Sequence, residues 1–324
     1  MTTTLKCGFV TLVGLPNAGK SSLLNRLVGE ELAIVTPKAQ TTWQTLRGFL
    51  AKPDLELVIT DTPGLQEGTV ALNAALRKNA AKALSLAAQG NELIGLVIDA
   101  AELGARLRDK KPLGLEPIRR VIEEECGRLP LSIPCVLILN KSDLVRKQPY
   151  RDELEEIASK EFKGVFSSMQ KILWTSVKTG EGIENCLEEF KAVLPMGQSG
   201  SLFDTEDLTD QNLRGFAAEF VREQCFLQLG AEIPYSIAVE ITQFDEKDPK
   251  ISRIEATLHV ERESQKSIVL GEGGKKIKAI GMKAREKLER LLGRKVFLGL
   301  RVKVTPHWAR EARWVERFGY GKAE

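Results

Sequence analysis

Residues 14–21 read GLPNAGKS, and these eight positions decide the fold of the chain's first half. They fit GxxxxGK[ST], with Gly14, Gly19, Lys20 and Ser21 at the fixed places. A strand-like run, Cys7–Val13, precedes them and a helical pattern, Ser21–Val28, follows, which is the setting in which such a loop cradles phosphate. The backbone from Gly14 through Leu15, Pro16, Asn17, Ala18 and Gly19 to Ser22 can curl its N–H groups around a β-phosphate. Lys20 can neutralise β/γ oxygens, and the Ser21 hydroxyl can ligate Mg²⁺. Alone, the eight residues also admit an ATPase, a kinase or a chance loop.

Outward from this loop, apolar runs alternate with helical patterns. Strands are expected at Leu55–Thr60, Leu93–Asp99, Pro134–Leu139 and Lys171–Thr175, and helices at Val70–Ala88, Pro117–Cys126, Arg151–Ser159 and Gly182–Leu194. Thr45–Ala51 and Leu55–Thr60, joined through Lys52-Pro53-Asp54, read as a hairpin adding an antiparallel edge. Asp61-Thr62-Pro63-Gly64, Asn140-Lys141-Ser142-Asp143 and Ser176-Val177-Lys178 each follow a strand, which puts them on one rim of a doubly wound sheet. Asp61 can orient Mg²⁺ through water, and the Gly64 N–H can sense a γ-phosphate. The Asp143 carboxylate can accept from N1–H and the exocyclic amine of guanine, an arrangement of donors that adenine lacks. A backbone N–H of 176–178 would complete the base pocket.

A second glycine loop, VLGEGGKKIKAIG at 269–281, answers to a different template. GxGxxG fails because Lys276 stands where the last glycine belongs, and no GK[ST] follows. What fits is GxxG, Gly271-Glu272-Gly273-Gly274 leading into Lys275-Lys276-Ile277-Lys278, a loop that clamps single-stranded RNA backbone. Glu272 departs from the basic residue common there and is expected to weaken phosphate contact. Around it, Asn212–Leu229 reads as a helix with Phe216, Phe220, Val221 and Leu227 for a core. Ser236–Gln243, Arg253–Val260 and Val296–Val304 read as strands, and Lys275–Leu292 as a helix with Ile277, Ile280, Ala284, Leu288 and Leu291 on one face. The segment 195–211, PMGQSGSLFDTEDLTDQ, lacks periodicity and reads as a linker. Trp308 could stack on a base but is expected to pack the last helix instead, and His259 reads as structural.

Composition bounds the rest. The 324 residues allow two domains of ordinary size. Residues 201–270 hold 7 Lys/Arg against 14 Asp/Glu, whereas 271–324 hold 15 against 6, so basic charge collects where the second loop sits and suggests a polyanion partner. Cys7, Cys126, Cys135, Cys186 and Cys225 are scattered without CxxC pairs, which argues for a reducing compartment. The start, MTTTLKCGFVTLVG, has no leader pattern, and no apolar run nears the ~20 residues that span a bilayer. A cytoplasmic protein is expected.

Residues 8–194 resemble a translation-factor-type GTPase domain. With KAQTT at 38–42, DTPG at 61–64, IPYSIAVEI at 233–241 and the second glycine loop, the whole chain resembles the Era-like family of GTPases with a C-terminal KH domain. The resemblance implies an α/β P-loop GTPase domain over 1–194, a linker over 195–211 and a smaller α+β KH (type II) domain over 212–324. It implies a monomeric GTP/GDP switch that binds the 3′ end of 16S rRNA during assembly of the small ribosomal subunit. Lys20, Thr42 and Gly64 are the implied catalytic set, and Ser21, Thr42 and Asp61 hold Mg²⁺. Thr42 is favoured over Thr41 as the switch threonine. Asn17 is expected to ligate K⁺ beside the β/γ bridge, the competing reading being a turn residue. Two departures stand out. Trp43 follows the Thr pair where relatives often carry arginine, with Arg47 too distant to substitute, and Leu65 replaces the glutamine that orients water in Ras-like proteins, so hydrolysis should be slow. Two rival readings are an ATP-dependent kinase and a GTPase that associates with the cytoplasmic face of the inner membrane through its basic C-terminal helix.

Overall fold

The computed structural model describes residues 5–38, 40–65, 70–90, 92–113, 115–126, 131–145, 148–162, 165–197, 202–230 and 232–320. Ala39 of the KAQTT stretch, residues 198–201 of the expected linker, the first four residues of the chain and the Cys126 side chain lie outside them.

Strand β1 (Lys6–Val13) pairs in parallel with β3 (Leu55–Asp61) on one side and β4 (Leu93–Asp99) on the other; β5 (Leu131–Asn140) and β6 (Phe166–Thr175) extend the parallel run. The sheet order is β2-β3-β1-β4-β5-β6, with β2 (Leu46–Lys52) antiparallel at the edge as the expected hairpin requires. These central strands are nearly continuous apolar runs because helices cover both faces. The flanking helices are α1 (Lys20–Val28), α2 (Ala71–Gly90), α3 (Ala100–Arg108), α4 (Glu116–Cys126), α5 (Gln148–Phe162) and α6 (Ile183–Val193). Helix α3 has no counterpart among the sequence expectations. Its signal is a cap: Asp99 closes β4, and its Oδ1 accepts from the N–H groups of Ala101 and Glu102.

The second unit runs α7 (Leu213–Gln228), β7 (Ala238–Asp245), β8 (Ile251–Val260), α8 (Glu263–Leu270), α9 (Lys275–Leu292), β9 (Lys295–Val304) and α10 (Ala312–Arg317). Its sheet, β7-β8-β9, is antiparallel at the first pairing and parallel at the second. Helix α8 escaped the sequence expectations because it is short and buries only Val269. Two expected core residues are corrected: Leu227 and Leu291 are exposed, because α7 and α9 pack through Val221, Cys225, Ile280, Ala284 and Leu288.

Helix α7 is buried nearly all round from Phe216 to Phe226, as befits a helix clasped on two sides. Phe216, Ala217 and Phe220 share one apolar cluster with Leu24, Leu32 and Ile34 of the first unit and Leu288 of α9. The segment ahead of α7 is pinned as well: Phe49 N–H donates to Leu208 O, Thr209 Oγ1 donates to Arg47 O, and Phe203 stacks on Phe49 at 4.7 Å. It therefore covers the open edge of β2. Trp308 is fully buried, its Nε1 donating to Ser236 O at 2.9 Å, so it packs the tail and is not available for base stacking. His259 is also buried, between Thr305 Oγ1 at 2.8 Å and Glu240 Oε2 at 3.1 Å. No helix among the described residues is long and apolar enough to cross a membrane.

Candidate functional site

The rim expected from the sequence assembles. A cleft of about 210 Å³ is lined by Pro16, Asn17, Gly19, Lys20, Ser21, Ser22, Thr42, Gly64 and Lys141, together with residues 34–37. The loop is shaped by contact as much as by conformation. A Cβ on Gly14 would lie 2.2 Å from Val97 O, one on Gly19 2.2 Å from Asn140 Nδ2, and one on Gly64 2.6 Å from Pro16 N. Leu15 and Ala18 back the loop, and Asn17 sits exposed at its tip with φ 63°, a left-handed conformation asparagine tolerates better than most residues.

Three oxygens gather at one side of the cleft. Ser21 Oγ lies 2.7 Å from Thr42 Oγ1 and donates to Asp61 Oδ2 at 2.5 Å. Asp61 is wholly buried, and its Oδ1 has no hydrogen-bond partner among the described residues. Burial raises its carboxyl to about 6 against the opposing pull of Lys20 and the two hydroxyls. Burial likewise lowers Lys20 to about 8, with Asp61 opposing, and Lys20 Nζ donates to Gly14 O and Leu15 O. A buried carboxylate with a spare oxygen beside two hydroxyls is the donor set a hard divalent cation takes, so the residues present fit Mg²⁺. Thr41 also lines the cleft, but its hydroxyl is engaged away from these three oxygens, donating to Lys38 O at 2.9 Å and meeting Thr36 Oγ1 at 2.8 Å. Thr62 is buried, its Oγ1 donating to Leu12 O at 2.8 Å, and Pro63 is buried beside it. Leu65 is buried in the core beneath α3, its N–H donating to Gly14 O, so its side chain does not enter the phosphate cleft.

On the base side, Asn140 ties the loop down, donating through Nδ2 to Ala18 O at 2.8 Å and accepting from Thr175 Oγ1 at 3.2 Å. Ser176 Oγ donates to Asp143 Oδ1 at 2.7 Å and orients that carboxylate. The Ser176 N–H itself goes to Glu181 O and the Thr179 N–H to Ser176 Oγ, so of the 176–178 stretch Ser176 has its N–H engaged within the loop. Lys141, in left-handed conformation, bonds Asp99 at 2.5 Å. Sequence reasoning missed Asp99 and Glu181; the carboxylate closing an α/β strand was the available signal for Asp99.

The second glycine loop joins α8 to α9. Gly271, Gly273 and Gly274 have φ of 69°, 57° and 77°, so all three need glycine's freedom. A Cβ on Gly273 or Gly274 would meet nothing within 4 Å, and the backbone there is open to an approaching group. Charge is arranged differently from the expectation. Glu272 and Lys275, both strongly exposed, pair at 3.6 Å, while Lys276 Nζ donates to Gln228 O at the end of α7. Ile277 is half-buried, and Lys278 lines an apolar groove with Gln224, Gln228, Ala279, Met282 and Lys283.

Comparison with known proteins follows this geometry. The family model described as 50S ribosome-binding GTPase matches residues 9–141, and the KH domain model matches 232–309. The chain is 36% identical over 315 residues to GTPase Era of Geobacter sp. (strain M21), covering 97% of this chain and 98% of that protein. To GTPase Era of Neisseria meningitidis serogroup C it is also 36% identical, with 97% and 94% covered. A solved structure of an Aquifex aeolicus Era variant bound to GDP·AlF4⁻ superposes with a TM-score of 0.84 at 32% identity, covering 98% of this chain and all of that one. A second, of Era in complex with MgGDPNP and nucleotides 1506–1542 of 16S ribosomal RNA, superposes at 0.85 with the same identity and coverage.

Proposed function

The chain belongs to the Era family of GTPases, and from that premise we propose that its GTP-driven switch binds the 3′ end of 16S rRNA through the KH domain and assists small-subunit assembly. One observation carries the reading: a single chain holds a closed glycine loop beside a guanine-type base pocket and an open glycine loop beside a basic helix. Mg²⁺, when bound, neutralises charge on the β- and γ-phosphates, and Ser21, Thr42 and Asp61 are the residues that would hold it. Lys20 sits to meet the same oxygens. Burial lowers its pKa to about 8, and an anionic ligand beside it would favour the charged form. Gly64, in contact with Pro16, presents backbone where a γ-phosphate arrives. Asp143 and Val177 read the guanine edge, with Asn140 bracing the loop beneath.

With Leu65 turned into the core, its side chain does not orient the attacking water. Asn17, exposed at the loop tip, is the group we assign to a K⁺ ion that would spread charge on the leaving phosphate. Hydrolysis should run several-fold faster in K⁺ than in Na⁺, and the difference should vanish in Asn17→Ala; equal rates in the two salts would remove the ion from the reading.

The function is tested by crosslinking to total RNA with GDPNP and with GDP, using wild-type protein and Gly274→Asp. Crosslinks at the 3′ end of 16S rRNA that depend on nucleotide and disappear in the variant are expected. Their absence with both nucleotides would remove rRNA from the proposal. Asp143→Asn should lose its preference for guanine over adenine nucleotides, and an unchanged preference would reopen the kinase reading.

A further inference from the structure

The residue after Thr42 is sealed inside the other half of the molecule. The Trp43 indole is 2% exposed. The Arg222 guanidinium lies 4.6 Å from its ring, Tyr320 stands edge-on at 4.9 Å, and Trp308 and Phe226 complete the surround at 6.1 and 6.3 Å. All four come from the C-terminal unit: α7, the turn at 308–310 and the tail. From the first unit, Leu72 and Leu76 of α2 join the same cluster, and Trp43 Nε1 donates to Gln40 O at 2.8 Å. Arg222 is itself wholly buried. Glu219 binds it at 2.5 and 2.9 Å, but Nη1 has no hydrogen-bond partner among the described residues, and the faces of Trp43 and Phe226 offset the buried charge.

The same helix end is gripped from both functional regions. Lys38, in the loop that carries Thr42, donates to Leu229 O at 2.5 Å; Lys276, in the second glycine loop's helix, donates to Gln228 O at 3.3 Å. We propose that Trp43 is a positioning residue that sets the preference for GTP over GDP. Caged by the C-terminal unit, it holds Thr42 beside Ser21 and Asp61. Adjacent Cα atoms are about 3.8 Å apart, so an indole that cannot move leaves Thr42 little freedom to lose. Only a triphosphate with its metal engages Thr42; GDP does not need it. The saved ordering cost therefore appears in one affinity and not in the other. By linkage, whatever opens the cage around Trp43 weakens GTP relative to GDP, and GTP binding stiffens α7 in return.

This inference rests on reading the Ser21–Thr42–Asp61 cluster as the Mg·GTP site, and the test separates the two. Affinities for GDP and for Mg·GDPNP are measured on the full chain by titration calorimetry, for wild type, Trp43→Ala, Trp43→Phe and Arg222→Met. Trp43→Ala should weaken Mg·GDPNP about tenfold, a typical coupling, while GDP affinity stays within about twofold. Phe should recover part of the loss. Arg222→Met should fall in the same direction, and the double variant should be no worse than Trp43→Ala. A general structural role would weaken both nucleotides alike, and that outcome, or an unchanged GDPNP-to-GDP ratio, overturns the proposal. Should Trp43→Ala fail to fold, Arg222→Met carries the same decision with the indole in place. Wild-type protein that binds neither nucleotide overturns the site reading and this inference with it.

Discussion

Two glycine loops in one chain use the same residue with different emphasis. In 14–19, glycine is demanded by neighbours, with Gly19 also left-handed at φ 97°: Val97 O, Asn140 Nδ2 and, at Gly64, the Pro16 backbone leave no room for a methyl group. In 271–274 it is demanded by conformation, since all three glycines are left-handed while Gly273 and Gly274 face open space. The first is a packed cradle in which loop, sheet and base pocket hold one another. The second is an access surface whose shape is local. Damage to the first should therefore spread through the fold, and damage to the second should stay with the ligand.

The largest expected effect tests the first half of that contrast. Gly14→Ala drives a Cβ against the Val97 carbonyl, a backbone atom that cannot step aside. Overpacking of this kind costs about 1–3 kcal/mol, and the same strain placed on the loop should reduce GTP affinity about 10–100-fold. Thermal melting of the nucleotide-free protein and nucleotide titration should fall together. A variant that melts normally yet binds poorly would mean the loop is not braced by the sheet. Gly274→Asp is the counterpart. Left-handed backbone costs a non-glycine residue about 1–2 kcal/mol, with Asp at the mild end, while a carboxylate at the approach point should lower affinity for a 16S 3′-end oligonucleotide about tenfold or more. GTP hydrolysis should hold within about twofold. If hydrolysis falls as far as RNA binding, the two loops are not separable.

How far the sequence could be read follows the same division. Motifs whose partners lie nearby in the chain were legible: the phosphate loop, DTPG and NKSD each announce a strand end, and the hairpin at 45–60 announces the antiparallel edge. What was not legible depends on partners far along the chain. The segment at 202–211 has no periodicity because isolated contacts hold it to the β2 edge, namely the Phe49 N–H to Leu208 O, the Thr209 hydroxyl to Arg47 O and Phe203 on Phe49, and these form no repeating pattern. Trp43 reads only as a departure, since its cage is built from residues 222, 226, 308 and 320. Leu227 looks like core by spacing, but it lies just past the stretch of α7 that is buried nearly all round, which ends at Phe226, and is left to solvent.

Glu272 gives a smaller and more selective probe of the open loop. It pairs with Lys275 in full solvent, a contact of little stability value. Glu272→Lys removes one negative charge, adds a positive one and releases Lys275. RNA affinity should rise several-fold at low salt, and the slope of log K against log salt should steepen by about 0.7–1.4 for one or two added phosphate contacts. Melting temperature should barely move. An unchanged slope would place the RNA backbone elsewhere on α9.

The smallest effect concerns what lies behind that open surface. The sheet under the second loop is tied to the tail by His259, which binds Thr305 and Glu240, while Arg317 bonds Glu240 from α10. Burial lowers the His259 pKa from its ordinary value of 6.5; the Glu240 hydrogen bond and charge oppose the shift, whereas the charges of Lys303 and Arg317 add to it. The folded protein therefore resists a proton that the unfolded chain accepts. Below the unfolded value the unfolded state binds more protons, so stability falls as pH drops from 6.5 towards the folded pKa. The limit is about 1.4 kcal/mol per pH unit for a single group. His259→Gln cannot charge and should lose less melting temperature than wild type between neutral pH and about one unit below the free histidine value. The phosphate cradle, braced on the other sheet, should keep its GDP affinity across the same interval. Equal losses in the two proteins would show that the His259 contacts tolerate the proton, and that Trp308, Tyr320 and the Arg317–Glu240 pair hold the tail to the sheet without it.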